Sequence, residues 1–364
     1  MKTVSKVHSQ AERIQMREAG ERRALRTQVR LLACVSILRT VVTRILPLCG
    51  SAGWWLAAVC MVPALCVYAL CRLAMYRTHT NVLTDCVRTM LGSWAAWVLS
   101  ILLAVMLLWD GASSMTVLIT MFTEGIGSEG TQTTMAALTA AALLMCLNRE
   151  GLARGAYFLR WPILAVLGIA VINLLSMGSW DHLFPWRGSG EASIGAALRA
   201  GMSLGWPLIL LLMMEPVIPG QSRLLDGLLP AGLCAMVCLS IVWAVPCELL
   251  ISHPALADSL LLPVVFLSPL VKIMVYSLWM LVLFLQIGSA ARISADYMLA
   301  PSGREQRWLA GVLVIVLAAT QMMNIGDLWR ILGLVEPWFI APLVLLGVIL
   351  VCMTLFAKRG RRKV

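Results

Sequence analysis

Charged residues are scarce in this sequence. Asp, Glu, Lys and Arg make up 13% of its 364 residues, whereas 60% of the residues are hydrophobic. About a quarter of the residues in an average soluble domain are charged, so this composition excludes an ordinary soluble fold. The sequence predicts an all-α integral membrane protein with several spans, because helices satisfy their own backbone hydrogen bonds in lipid.

The motifs on which many enzymes and metal sites depend are also missing. The four His residues are scattered, and the eleven Cys residues form no CxxC pair and no cluster with His at metal-ligand spacing. The sequence has no Walker or GxGxxG loop, no HExxH motif and no Ser/His/Asp pattern on the predicted inner loops. We therefore expect no enzyme activity, no cofactor, no metal and no nucleic-acid partner, and we attribute the net charge of +11 to topology and anionic lipid headgroups.

What the sequence does contain is a series of ten apolar segments between two basic ends. Each is close to the ~20 residues that cross a ~30 Å hydrocarbon core. We predict a basic N-terminal tail at 1–30, a transmembrane domain at 31–357 and a basic C-terminal tail at 358–364. The ten predicted spans are 31–48, 54–71, 94–122, 131–147, 156–177, 193–218, 228–251, 263–291, 309–325 and 332–357.

Positive charge sets the predicted orientation. Most of the 29 Lys and Arg residues fall in the two tails or in connections that an inner N-terminus places inside, and the outer connections hold only Arg187 and Arg330. Both termini are therefore predicted to be cytosolic. The sixth span then begins outside whereas the first begins inside, which predicts a five-plus-five inverted repeat. The inner connection 72–93 is expected to hold an amphipathic helix that starts near Thr80 or Asn81, as a coupling element or a solvated connector.

The sixth span contains residues that interrupt helices. The stretch GAALRAGMSLGWPLILLLMMEPVIPG carries Gly201, Gly205, Pro207 and Pro216. A break at this point would expose amide groups that bind a carboxylate, whereas Gly201 and Gly205 alone would also suit close GxxxG packing. Packing would not require Pro207, so we favour the break. Trp206 either walls a ligand pocket or contacts lipid, and all four of Gly201, Gly205, Trp206 and Pro207 are predicted ligand-binding residues.

Charged residues inside spans one and three are candidates for function, because an intramembrane charge is costly. Asp110 is either a proton-coupling or ligand-amine site, or a structural partner of Arg39 or Arg44. These two arginines are five residues apart, roughly 140° around a helix, so they cannot face one partner unless the helix opens. One would bind a substrate carboxylate while the other pairs with Asp110. Arg39 and Asp110 are predicted ligand-binding residues, as are the neighbouring Thr40 and Thr43.

Glu215 and Lys272 are candidate coupling or gating residues. Glu215 precedes Pro216, which frees a backbone carbonyl, so its carboxylate either gates the inner side or snorkels as an interfacial acid. Lys272 lies in the outer third of span eight. It either snorkels outward or takes a position where a cation replaces sodium in a transporter.

Several short motifs together resemble the spore-germination permease family. These are LTDCVRTMLGSW before span three, the turn at Gly151 and Arg154, the NLL sequence at 173–175, Pro216 late in span six and the basic C-terminal end. The family comprises the membrane-embedded B subunits of nutrient germinant receptors, within the amino-acid, polyamine and organocation transporter superfamily. The likeness covers residues 28–357.

The resemblance implies a fold and a function. It implies that spans one and six are broken at mid-membrane, and that a small nutrient, often an amino acid, binds between spans one, three, six and eight. It further implies a receptor A subunit and a lipoprotein C subunit as partners, in a bacterial cell or spore inner membrane. Span one departs from the family, because ILRTVVTRILP lacks the usual glycine ahead of its proline. Either Pro47 supplies the break or the ligand is not a plain amino acid.

Two other functions are compatible with the same residues. One is an autonomous secondary transporter for amino acids or amines that is driven by protons through Asp110. The other is a scaffold whose ligand pocket is vestigial. The three interpretations differ in whether the chain acts alone and in whether it binds a ligand.

Overall fold

A computed structural model describes the chain at residues 2–126, 131–146, 148–184, 191–201, 204–213, 224–245, 269–299, 307–322, 348–349 and 352. The described residues form helices and no strand. The α-helices are α1 (Lys2–Thr40), α2 (Leu46–Cys49), α3 (Gly53–Thr78), α4 (Leu83–Leu91), α5 (Ser93–Ile126), α6 (Thr131–Cys146), α7 (Arg149–Met177), α8 (Glu191–Gly201), α9 (Gly205–Leu212), α10 (Leu224–Ala244), α11 (Pro269–Leu299) and α12 (Arg307–Met322). A π-helical segment, Val41–Ile45, joins α1 to α2, and 3₁₀ turns lie at Gly50–Ala52 and Trp180–Leu183.

Five helical segments in the described part are long and apolar enough to cross a membrane. They are Gly53–Thr78, Ser93–Ile119, Glu150–Met177, Ile194–Leu212 and Pro269–Met298. Shorter apolar stretches, Ala231–Ala244 and Trp308–Gln321, lie in α10 and α12. The protein is therefore an all-α membrane protein, as its composition predicts. The first nine predicted spans each contain helix, whereas the tenth, 332–357, lies almost wholly outside the described residues.

Helices α5 and α11 run in opposite directions. Ser294 Oγ near the end of α11 donates to the Ala104 carbonyl near the start of α5, at 3.0 Å. Tyr276 Oη near the start of α11 donates to the Met121 carbonyl near the end of α5. These two helices are therefore antiparallel, and they share the most extensive helix–helix contact among the described elements.

Small side chains bring α11 close to its neighbours. A Cβ added at Gly111 of α5 would lie 3.2 Å from the Ala290 Cβ of α11. A Cβ added at Gly288 would lie 3.2 Å from methyl groups of both Leu143 and Leu152. The sequence GSAA at 288–291 thus allows α11 to pack tightly against α5, α6 and α7. This close packing also brings Gln286, two residues earlier on α11, towards α5.

Helix α1 runs without interruption across the predicted boundary between tail and membrane domain. It extends from Lys2 to Thr40, and its side chains are already buried at Ala24, Gln28 and Val29. The predicted boundary at residue 30 therefore falls inside a helix. Its C-terminal half packs against α7, α9, α10 and α11, so the tail and the first predicted span form one continuous element.

The first predicted span contains an irregular turn just ahead of Pro47. The backbone N–H of Leu46 bonds to the carbonyl of Val41, five residues earlier, which is the π-helical pattern. Pro47 has no N–H to offer the carbonyl of Thr43, so the α-helical ladder cannot continue through this turn. The irregularity in span one is thus a widened helical turn formed without glycine.

Helix α4 confirms the predicted amphipathic helix but not its predicted cap. Its buried face consists of Leu83, Cys86 and Val87. The capping residue is Val82, whose side chain makes no capping hydrogen bond, so the prediction of a cap at Thr80 or Asn81 is wrong. The N–H of Thr80 instead bonds to the Met75 carbonyl at 3.1 Å, because His79 ends α3 in a left-handed conformation at φ 55°.

Candidate site around the buried Arg39–Asp110 pair

Arg39 and Asp110 form an ion pair inside the helix bundle. Arg39 lies in the last turn of α1 and is 6% exposed, whereas Asp110 lies midway along α5 and is 1% exposed. Arg39 Nη2 donates to Asp110 Oδ1. Arg39 Nη1 donates to the Asp110 carbonyl at 2.8 Å and to Ser114 Oγ at 2.9 Å. The guanidinium group is thereby bound to both the side chain and the backbone of α5.

Two neutral side chains complete the surroundings of the carboxylate. Ser36 Oγ donates to Asp110 Oδ2 at 2.7 Å, and Gln286 Nε2 of α11 donates to the same oxygen. Gln286 Nε2 also lies 3.2 Å from Ser36 Oγ. We call Ser36, Arg39, Asp110, Ser114 and Gln286 the Asp110 cluster. It joins three helices that are far apart in sequence.

Helical spacing explains how the sequence assembles this cluster. Ser36 and Arg39 are three residues apart on α1, and Asp110 and Ser114 are four apart on α5, so each pair shares one helix face. Gln286 precedes the small residues at 288–291 that bring α11 against α5. The polar faces of α1, α5 and α11 therefore point towards one another.

Arg39 is the cation that pairs with Asp110 in this structure. A buried carboxylate in apolar surroundings needs a cation and further hydrogen bonds to remain charged, and Arg39, Ser36 and Gln286 supply them. A role for Asp110 in proton coupling or ligand binding stays a prediction. The side chains of Arg44 and Thr43 lie outside the described residues, and Thr40 is buried at 6% exposure.

The predicted residues of span six lie on two helices, α8 and α9. Helix α8 ends at Gly201 and α9 begins at Gly205, with residues 202 and 203 outside the described part. A Cβ added at Gly201 would lie 2.5 Å from the Cβ of Cys60 on α3, so Gly201 makes a close packing contact. Gly205, Trp206 and Pro207 form the buried first turn of α9, which packs against α1, α3 and α5.

The two predicted coupling residues are not part of the cluster as described. Glu215 and the neighbouring Pro216 lie outside the described residues. The Lys272 backbone belongs to the first turn of α11, and its side chain is outside the described part. Fourteen residues separate it from Gln286, roughly 21 Å along a helix, so Lys272 lies too far away to contact Asp110.

Two cavities lie next to the cluster. The smaller has a volume of about 10 Å³, and its polar lining consists of Gln28, Gln286 and Ser289. The larger has a volume of about 90 Å³ and is lined by aliphatic residues of α1, α7, α10 and α11, with Cys34 and Trp279. Aliphatic side chains at 31, 35 and 282 belong to both linings. An apolar space of useful size therefore adjoins the buried polar groups.

Arg292 is a second buried cation, six residues beyond Gln286 on α11. It is 1% exposed, and its Nη2 lies 3.4 Å from Asp296 Oδ1. Its Nε and Nη1 have no hydrogen-bond partner in the described part of the chain. Arg292 is therefore much less completely paired than Arg39.

The sequence prediction did not include Ser36, Ser114 or Gln286. Serine is common in apolar helices and carries no distinct signal. Gln286 could have been predicted from the sequence, because an uncharged amide within an apolar span also requires hydrogen-bond partners.

No protein-family model matches the chain, and no match is found among curated proteins.

Proposed function

We propose that the chain is a membrane-embedded, permease-like subunit of a spore germinant receptor. In this proposal it binds a small nutrient beside the Asp110 cluster and signals germination together with a receptor A subunit and a lipoprotein C subunit. The ligand region lies between α1, α5, α8–α9 and α11, which correspond to spans one, three, six and eight. Both termini are cytosolic in a bacterial cell or spore inner membrane.

The buried Arg39–Asp110 pair carries the proposal. A charge pair within a membrane domain is often no more stabilising than apolar residues of the same volume, so its presence favours a role beyond stability. The pair also lies directly ahead of the π-helical segment Val41–Ile45, and single π-helical turns occur frequently at functional sites. The position and the cost of the pair together support a ligand-responsive site.

The chemistry of an amino acid suits this pair. Its carboxylate can bind Arg39 while its ammonium group binds Asp110, so that one internal ion pair is replaced by two ion pairs with the ligand. An aliphatic ligand side chain would enter the adjacent 90 Å³ cavity, which lies on the other side of α1 and α11, against α7 and α10. Separation of Arg39 from Asp110 would then move α1 relative to α5, which gives the receptor a conformational signal.

The proposal is tested by ligand-induced thermal stabilisation of the purified full-length chain. Across a panel of amino acids and sugars we expect at least one nutrient to raise Tm, because a ligand stabilises the state it binds. The shift should disappear in Arg39→Lys and Asp110→Asn. Ser240→Ala is the matched control, since Ser240 is buried and its hydroxyl donates only to the Val237 carbonyl, at 2.7 Å. Equal shifts in all four proteins would reject this site.

An autonomous proton-coupled transporter is the alternative. It is favoured by the neutral donors Ser36 and Gln286 on Asp110, which would stay in place if the carboxylate were protonated and Arg39 were released. Reconstitution of the chain alone in liposomes separates the two functions. Uptake driven by a pH gradient and abolished by Asp110→Asn would support transport, and a well-folded sample without uptake would support the receptor subunit.

A further inference from the structure

Two buried amide groups are only half satisfied. Gln28 on α1 and Gln286 on α11 are 2% and 3% exposed. The Nε2 of Gln28 donates to Ser289 Oγ at 2.6 Å, and that of Gln286 donates to Asp110 and Ser36. Within the described part of the chain, the Oε1 atom of each has no hydrogen-bond partner, and it is shielded from solvent. A buried acceptor without a partner has given up its hydrogen bonds to water and received none in return, so both Oε1 atoms favour a donor close to them.

The orientation of Gln286 follows from its partner. An ionised carboxylate accepts hydrogen bonds and donates none, so the amide group of Gln286 must direct its NH₂ towards Asp110. Its oxygen is therefore directed away from the carboxylate. Both glutamines line the 10 Å³ cavity, so a hydrogen-bond donor in that cavity would offer a partner to both of their oxygens.

Size and charge restrict the occupant further. A single water needs about 10–15 Å³ of cavity volume and two to four polar partners, and the cavity offers about 10 Å³ with Gln28, Gln286 and Ser289. The rest of the lining is aliphatic or Ala156. Hard divalent cations take six or more oxygen ligands, twice the number of polar side chains that line this cavity.

We propose that one buried water occupies this cavity and donates one proton to Gln28 Oε1 and the other to Gln286 Oε1. The water joins the Gln28–Ser289 hydrogen bond to the Asp110 cluster. A single network then runs from Gln28 through Gln286 and Asp110 to Ser114, across α1, α11 and α5. This inference rests on the geometry alone and does not depend on the proposed function.

A structure of the full-length chain in lipid nanodiscs at about 2 Å resolution tests the site directly. We expect one density peak at hydrogen-bond distance, about 2.7–3.2 Å, from both Oε1 atoms. An empty cavity would overturn the proposal, as would Gln28 Nε2 bonded directly to Gln286 Oε1. A peak surrounded by six oxygens at metal–ligand distances would identify a cation and equally overturn it.

A double-mutant cycle tests the bridge in solution. Gln28→Leu and Gln286→Leu each remove one of the water's two partners, so the loss of Tm in the double variant should be smaller than the sum of the single losses. Gln321→Leu is the control, because Gln321 is buried and both of its amide atoms are paired, with Thr116 at 3.1 Å and the Ala112 carbonyl at 3.4 Å. Its combination with Gln28→Leu should be additive. Additive losses in both pairs would refute the bridge.

Discussion

Arg39 and Asp110 depend on each other because both are buried. Removal of one leaves the other charge desolvated and without its main partner, which typically costs about 3–5 kcal/mol. Replacement of both by apolar residues of similar volume removes the unpaired charge altogether. The energetic role of the pair is therefore visible only when single and double substitutions are compared.

We predict that Asp110→Asn lowers Tm strongly and that Arg39→Met/Asp110→Leu recovers most of the loss. Asp85→Asn is the control, since Asp85 pairs with Arg88 at 3.7 Å on the exposed face of α4. Exposed pairs contribute about 0–1 kcal/mol, so this variant should unfold close to wild type. Thermal unfolding in one detergent measures the Tm of the two single variants and of the double variant against the wild type. A loss for Asp110→Asn no larger than for Asp85→Asn would contradict the buried ion pair.

At the scale of the elements, helix α8 contains one tightly packed glycine and one glycine with open space beside it. Gly201 ends α8 against Cys60 of α3, and Cys60 Sγ approaches the Ala197 carbonyl at 3.6 Å. For Gly195, in the same helix, no described residue packs within 4 Å of the position that a Cβ would occupy, apart from the backbone of α8 itself. The two glycines therefore differ in their surroundings while sharing a helix.

We predict opposite effects for Gly201→Ala and Gly195→Ala. A methyl group at 201 forces α8 away from α3 and should lower Tm, whereas one at 195 meets open space and should raise it by reducing backbone entropy in the unfolded chain. Thermal unfolding of both variants and of the wild type, under the same conditions, measures the two changes in Tm. Equal Tm values would mean that α8 and α3 are not in close contact at Gly201.

Hydropathy was sufficient to locate most helices, because membrane spans are defined by length and apolar character. Helices lie in the predicted segments from residue 31 to 322, and α4 lies in the predicted inner connection. The cap at Val82 was not predictable, since the left-handed residue His79 redirects the chain before Thr80 can cap the next helix. The π-helical turn was not predictable either. Pro47 indicates that the α-helix is interrupted, but it does not indicate which form the interruption takes.

The candidate site was predictable only in part, because the sequence shows which residues are charged but not which of them meet. Arg39 and Asp110 are charges in apolar spans, so they were recognisable individually. Their pairing depends on the register between α1 and α5, and that register is set by packing contacts distributed over both helices. Gln286 enters the cluster because Gly111 and Ala290 let α11 approach α5, a three-dimensional condition that the sequence does not display.

At the scale of the whole molecule, the surface is apolar where a soluble protein would be polar. Along α7, Phe158, Trp161 and Ile172 are 77%, 66% and 69% exposed. Exposed aromatic residues also lie at helix ends, with Tyr76 at the end of α3, Trp94 at the start of α5 and Trp308 at the start of α12. Aromatic residues concentrate at the two membrane–water interfaces, so this surface matches a lipid environment.

We predict that α4 and the turn Trp180–Leu183 lie on opposite sides of the membrane. Arg88→Cys should react with an impermeant thiol reagent only from the cytosolic side, and Asp181→Cys only from the outer side. Both positions are exposed, and site-resolved mass spectrometry on right-side-out and inverted vesicles distinguishes them from native cysteines. Labelling of both from the same side would contradict the predicted topology.

The continuity of α1 has a mechanical consequence. A helix from Lys2 to Thr40 is 39 residues long, or about 58 Å, nearly twice the thickness of a ~30 Å hydrocarbon core. Its side chains are packed in the bundle from Ala24 onward, so the part that can swing is at most the 22 residues before Ala24, about 33 Å of helix. A tilt of about 10° at the edge of the bundle would displace the Lys2 end by about 6 Å. Movement of Arg39 that tilts α1 as a unit would therefore be felt several ångströms away, at a neighbour of its N-terminal end.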